Sequence, residues 1–427
     1  MKKTKKISVI ILLVIVIASL IAGCSNESSS NNSSSDKQVT IVWSYWGDPW
    51  EVAIDKKIAA DFEATHKNIK IEQQYAPWSS YFQKLQTQWS GGTSPDVMFL
   101  NNTVSYAKTG VLQEITPLAK KYGYNLDDYY PEQLKEFQYD GKLYGVPRDN
   151  DTKVLFYNKK LFDDAKIPYP DKNLTWDQLV DISKKLTKKD GNVTSQYGIA
   201  FDPSFWFLTT WMNGGQLFDD DSNPTKVLLD DPKAIDALQK LGDLINKDKS
   251  APPYELIKDS SQISQLFTTN KLGLIVGNHA LIPSFTKVAD LKWDVTYLPT
   301  IGNNPKVNVA GGAGYTISSK TKHPKEAWEF WSYLTGPDAQ KLFTESQLIV
   351  PANKKVLNSD TFLKQSYNAQ VFIDETKAGR AYPTTPKAND FFTATNQYFQ
   401  AIWTGQKSAK DSVNEALPQL KKIIESK

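Results

Sequence analysis

Apolar positions along the chain switch repeatedly between a two-residue and a 3.6-residue period. Val39-Thr-Ile-Val-Trp43 is β-branched and strand-like and runs into a polar loop, Ser44–Pro49. Ile54, Ile58, Ala59 and Phe62 then fall on one face at helical spacing. Ile69–Gln73 predicts a second strand, and Phe82, Leu85 and Trp89 a second helix that Gly91-Gly92 stops. Val97–Leu100 follows as a short buried strand. This βαβαβ order predicts an α/β fold with a mostly parallel sheet covered by helices. Ligands of such sheets collect beyond the carboxyl ends of the strands, here Ser44–Pro49 and Asn101–Thr103.

The pattern then restarts. Thr175-Trp-Asp-Gln178 fits a capping box ahead of Leu179, Ile182 and Leu186. Asp231-Pro232 opens a helix with Ile235, Leu238, Leu241 and Ile245 as its buried stripe. Leu272–Val276 and Lys292–Leu298 are strand-like, so a second α/β unit spans about Asp151–Pro305. Beyond it come Val307–Val309, the cluster Gly311-Gly312-Ala313-Gly314, Tyr315-Thr-Ile317 and a helix from Pro324. The remainder is helical and aromatic, with Pro418 placed to kink the last amphipathic helix.

Between the two units, Leu143–Val146 and Val154–Tyr157 flank the polar knot Arg148-Asp149-Asn150-Asp151. Pro147 biases its entry toward extended backbone, and no glycine separates the runs to form a tight hairpin. Two readings follow: a solvated surface turn, or a crossing between two halves with its charges facing a wet cleft.

The ends change what the charge means. Four lysines in Met1–Lys6, the apolar run Ile7–Ile21 and then Ala22-Gly23-Cys24 describe a signal peptide, with an uncleaved anchor helix as the alternative. Ile21-Ala22-Gly23-Cys24 resembles a lipobox, which would explain a lone cysteine in an exported chain by acylation of Cys24. Residues 25–36 are a polar tether. Subtracting the four lysines of residues 1–23 from the formal +3 leaves −1, so the charge argues for no nucleic-acid partner.

Catalytic patterns are sparse. Three separated histidines and no paired cysteines leave no zinc spacing, and no phosphate-binding loop or nucleophile elbow occurs; no cofactor or metal is expected. Asp219-Asp220-Asp221-Ser-Asn223 lacks the glycine and distal glutamate of a calcium loop and reads as a solvated turn. Gly311 and Gly312 mark either a close backbone approach or a ligand lying on bare backbone. Asp149 and Asp151, two residues apart, suit sugar hydroxyls as acceptors, or the acid and nucleophile of a glycoside hydrolase. Twelve Trp and twenty Tyr exceed what a core needs. Trp46, Trp78 and Tyr81 near the first loops, and Trp206 and Trp211 in an apolar run, are each either core filling or stacking faces for a sugar ring.

Val39–Trp43, Ser94-Pro-Asp-Val97, Gly110–Pro117, Tyr144-Gly-Val-Pro147 through Lys159, Asn213-Gly-Gly215, Leu272–Asn278, Leu298-Pro299, Ala310–Tyr315 and Lys325–Phe330 occur in the order and spacing of a known family. The chain resembles the family 1 extracellular solute-binding lipoproteins of carbohydrate ABC importers, the maltose-binding-protein-like receptors. The resemblance implies a non-enzymatic, monomeric, two-lobed binder, lipid-anchored outside the cell membrane, that closes on an oligosaccharide and delivers it to permease subunits. It implies a first lobe of residues 37–149 plus 308–350 and a second of 150–307 plus 351–427. Ligand positions carried over are Trp46, Asp48, Asn101, Asp151, Trp206, His279, Gly311, Gly312 and Arg380. Where many relatives have Trp, this chain has His279-Ala280. Binding of glycerol-phosphate diesters through Arg148 and Arg380 is the remaining alternative.

Overall fold

The computed structural model describes residues 38–47 and 49–425. The signal segment, Cys24, the tether and Asp48 lie outside the described residues. Two five-stranded sheets organise the chain. Their strands in chain order are β1 (Val39–Trp46), β2 (Ile69–Ala76), β3 (Val97–Leu100), β4 (Gly145–Pro147), β5 (Val154–Asn158), β6 (Lys188–Asp190), β7 (Val193–Phe201), β8 (Leu272–Gly277), β9 (Trp293–Thr296) and β10 (Gly314–Ile317).

The first sheet runs β2-β1-β3-β10-β4 and the second β9-β5-β8-β7-β6. Pairs β1–β2 and β1–β3 are parallel, as the βαβαβ pattern requires. The expectation of mostly parallel sheets is otherwise corrected: both are mixed. β10 returns late in the chain and lies antiparallel to β3 and β4. In the second sheet only β7–β8 is parallel. β6 and β7 form a hairpin whose turn uses Gly191 at φ +59°, where a Cβ would be strained.

Helices cover both sheets where the apolar stripes predict. In Pro49–Thr65, Ile58, Ala59 and Phe62 are buried against the first sheet. Thr175 caps Trp176–Leu186: its Oγ1 accepts the Gln178 N–H at 3.3 Å, and Gln178 Oε1 accepts the Thr175 N–H at 2.9 Å. Asp231 Oδ1 accepts the Lys233 N–H at 2.7 Å at the start of Pro232–Asn246. The core of the first sheet takes in Pro324–Thr335 and Pro337–Glu345, whereas Ala388–Trp403 and Ala409–Glu425 join the core of the second. No described helix is long and apolar enough to cross a membrane.

Candidate functional site

The polar knot is a crossing. Arg148–Lys153 runs extended between two other connections and hydrogen-bonds to both. On one flank the Arg148 and Asp151 N–H groups donate to the carbonyls of Ala313 (2.9 Å) and Gly311 (2.7 Å). On the other, the Asn150 N–H donates to Val350 O at 2.9 Å and the Ala352 N–H to Arg148 O at 3.2 Å. Asn308 closes the far end: its Oδ1 accepts the Lys153 N–H, and its Nδ2 donates to Lys153 O and to Glu375 Oε2. Arg148, Asp149, Asn150, Thr152 and Lys153 are all buried, which a solvated turn would not be.

Register places the functional edges. Gly314 lies opposite both Leu100 and Pro147, so the carboxyl ends of β1 to β4 share one edge of the first sheet. Gly277 lies opposite Val154, and Val276 opposite Phe201, so the ends of β7 and β8 share an edge of the second sheet with the start of β5. The crossing from β4 to β5 joins these two edges.

On the first edge, the half-buried Trp46 stacks on Phe99 with centroids 4.1 Å apart, and Trp78 meets it edge-on at 4.8 Å. Trp78, the first residue of the helix Trp78–Ser90, is 52% exposed. Asn101 follows β3 and is half-buried. Tyr81 is fully buried, its hydroxyl donating to Ser44 O at 2.9 Å, so core packing describes it.

The carboxylates of the crossing are already held. Arg148 donates through Nε (3.1 Å) and Nη2 (2.8 Å) to one oxygen of Asp149, while its guanidinium lies 4.1 Å from the Phe99 centroid. Asp151 gathers three segments. Its Oδ1 accepts Lys153 Nζ at 2.8 Å and Asn278 Nδ2, and its Oδ2 accepts the Tyr382 hydroxyl at 2.7 Å. Burial raises the Asp151 pKa, but the Lys153 charge and these donors outweigh burial and hold it below the ordinary value. Lys153 is itself buried, 3.4 Å from the Phe205 ring centroid.

On the second edge, His279 is buried beside Asp149 and Asp151, and its Nδ1 has no hydrogen-bond partner among the described residues. Burial pushes its pKa down against the pull of the two aspartates, which keeps the imidazole neutral near pH 7. Arg380 stands 4.5 Å from the Trp211 centroid and donates to Asp221 Oδ2 at 2.6 and 3.0 Å. Trp206 packs at 5.0 Å on Phe399 and is 1% exposed, so it fills the core. Gly311 and Gly312 have φ +91° and +153°. The place a Cβ would take is occupied at Gly311 by the Glu136 carboxylate and at Gly312 by Asp149 oxygens 2.6 Å away. Close backbone approach therefore accounts for both glycines. Gly312→Ala is expected to lower the melting temperature by several degrees, measured by differential scanning calorimetry; an unchanged melt would refute the packing account.

The structure thus gathers Asp149, Asp151, His279, Gly311 and Gly312 at the junction, with Trp46, Trp78 and Asn101 along the first edge. It adds residues that the sequence reading missed: Lys153, Asn278, Tyr382, Glu136 and Asp221. Lys153 had a signal, since it shares a face with Asp151 two residues earlier on an extended strand. Glu136 accepts the backbone N–H groups of Tyr382 and Gly312, and burial pushes its pKa to about 8 with the Asp151 and Asp149 charges adding. Among the described residues, no three His, Cys, Asp or Glu side chains are grouped to hold a metal ion. Asp219, Asp220 and Asp221 instead accept donors from Thr225, Lys226, Ser222, Asn223 and Arg380.

Two mixed sheets joined by adjacent crossings, with polar side chains gathered at the junction, define a two-sheet solute-binding fold. Residues 57–370 match the family model described as bacterial extracellular solute-binding protein, and the chain belongs to that family. Members are binders rather than enzymes. The galactooligosaccharide-binding protein of Bacillus subtilis (strain 168) is 27% identical over 386 residues, 87% of each chain. The maltodextrin-binding protein MdxE of the same organism is 25% identical, covering 79% of each. A Listeria monocytogenes ABC substrate-binding protein in complex with cycloalternan superimposes with a TM-score of 0.80 at 24% identity, covering 92% of this chain and all of that one. The maltose/maltodextrin-binding domain of Bdellovibrio bacteriovorus bound to maltotriose gives 0.75 at 20% identity, covering 91% of this chain and all of its own. At these identities the two structures show the fold.

Proposed function

We propose that this chain is the sugar-capturing receptor of an ABC importer, anchored outside the cell membrane through a lipid on Cys24. In this reading, residues 37–149 plus 308–350 and residues 150–307 plus 351–427 are two lobes that close on an oligosaccharide and pass it to the permease subunits. One observation carries the ligand class. At and beside the junction, Arg148, Lys153 and Arg380 are each paired with an aspartate and stand among aromatic faces. Such a surface suits a neutral ligand with one apolar face and a hydroxyl rim. Relatives named for galactooligosaccharides, maltodextrin and diacetylchitobiose support it.

The same pairs weigh against phosphodiesters, because Arg148 and Arg380 already meet carboxylates. They weigh against hydrolysis too, since Lys153 and the other donors hold Asp151 ionised, and Asp149 Oδ2 already accepts two Arg148 hydrogen bonds.

A thermal-shift screen with mono-, di- and oligosaccharides tests the reading: a glycan at about 100 times its Kd stabilises by roughly 2.7 kcal/mol. No shift across a broad panel would defeat it. Trp78→Ala is expected to weaken glycan affinity about tenfold in calorimetric titration while leaving the melt within a degree or two, because the exposed ring supports little of the core. Cys24→Ala is expected to release the protein into the medium; retention at the membrane would argue for an uncleaved anchor instead.

A further inference from the structure

Behind the second edge lies a cavity of about 90 Å³. One water needs about 10–15 Å³ measured in the same way, and native cores hold few voids larger than that. Its deep wall is apolar: Leu179, Ile199, Leu241, Leu244, Ile263 and Ile275. Water there would lack the two to four polar partners that hold it in place.

The mouth is different. Lining residues that keep some exposure include Asp202, Phe205, Val276, Gly277, Asn278 and Leu281, all at or just beyond the carboxyl ends of β7 and β8. That is the edge facing the crossing. Lys153, whose Nζ bridges Asp151 and the Phe205 ring, also lines it. The cavity thus shares Lys153 and Asn278, two partners of Asp151, with the proposed sugar site and is lined by Leu and Ile on its buried side.

We propose that this cavity is a binding site for an apolar, ring-sized group, carried into it as the aglycone of a glycoside whose sugar occupies the junction. The inference rests on the sugar reading for its second half only. Asp202, Asn278 and Lys153 would meet the polar end of such a ligand, and the Leu/Ile wall its apolar end. Each buried apolar carbon contributes about fourfold in affinity. After ordering costs, a phenyl group is expected to add at least about tenfold.

The test is calorimetric titration of the mature protein with methyl and phenyl β-D-galactopyranosides and β-D-glucopyranosides, with benzene-saturated buffer as a sugar-free probe in thermal melts. The phenyl glycoside of at least one pair is expected to bind at least tenfold more tightly than its methyl partner. Ile263→Phe, which fills the cavity, is expected to remove that advantage and leave the methyl glycoside unaffected. Leu208→Phe, filling from another element, serves if the first variant does not fold. Benzene is expected to raise the melting temperature of the wild type and not of the filled variant. Equal phenyl and methyl affinities, or an advantage that survives filling, would overturn the aglycone assignment. Benzene without effect on the melt would overturn the cavity as a binding site. Benzene stabilisation with no glycoside bound at all would support the cavity and overturn the aglycone assignment, and the sugar reading falls with it only when the oligosaccharide panel also gives no shift.

Discussion

Asp151→Ala is expected to destabilise the protein by about 3–5 kcal/mol and to abolish glycan binding. The reason is Lys153, 2% exposed, which would keep its charge in a buried site with its ion-pair partner gone. Asn278 and the Tyr382 hydroxyl would lose their acceptor in the same step, so a β4–β5 crossing now tied to β8 and to the segment after 379 would come loose. Urea unfolding at pH 7 measures the loss. The double variant Asp151→Ala/Lys153→Met should recover most of it, because removing both partners of a buried pair costs far less than removing one. Additive losses in the two single variants would mean the pair is not coupled. Acid has the same target. With its pKa held below the ordinary value, Asp151 contributes stability above the usual carboxylate range and loses it as pH falls through its folded-state pKa.

Asp55→Asn is expected to act in the opposite direction along the pH axis. Asp55 is 3% exposed in the helix Pro49–Thr65, and burial pushes its pKa up to about 8 against the opposing Arg148 charge, with Glu51 adding. The folded chain thus holds a proton that the unfolded chain releases. Stability from this group is full below the ordinary aspartate value, falls as pH rises, and is gone above about 8. An amide cannot ionise, so the variant's advantage over the wild type should be smallest at pH 5 and grow by a few kcal/mol toward pH 9. Urea midpoints at pH 5, 7 and 9 decide this; parallel curves for the two proteins would show that Asp55 does not drive the decline. Glu136, half-buried with a pKa near 8, pushes the wild-type curve the same way.

Much of the fold was legible because periodicity reports which face an element buries. Ile58, Ala59 and Phe62, the Thr175 box and the Asp231 cap each appear where the pattern puts them. Strand direction was not legible. β10 joins the first sheet from far along the chain, and no local signal distinguishes a parallel from an antiparallel neighbour. Pro147 and the absence of glycine left a surface turn and a crossing both open, and the α/β units on either side favoured the crossing. Its partners could not be read at all, since Val350, Gly311 and Asn308 are set by tertiary contact. Asp55 carried an unread signal: it sits at i, with Ile58, Ala59 and Phe62 at i+3, i+4 and i+7, so a charged residue was written into an apolar stripe. Trp206 and Trp78 show the limit for aromatics. Both were candidate stacking faces, and only packing separates a ring in contact with Phe399 from one that is half in solvent.

The place of β10 also governs when the chain can complete its first sheet. β3 and β4 are not neighbours until residues 314–317 slot between them, so the first sheet cannot be completed by the segment that emerges first. Closing that loop early carries an entropic cost with little contact to offset it. The first sheet is thereby left without the strand that joins β3 to β4 until about three quarters of the chain has been made, so its stability arrives late and all at once.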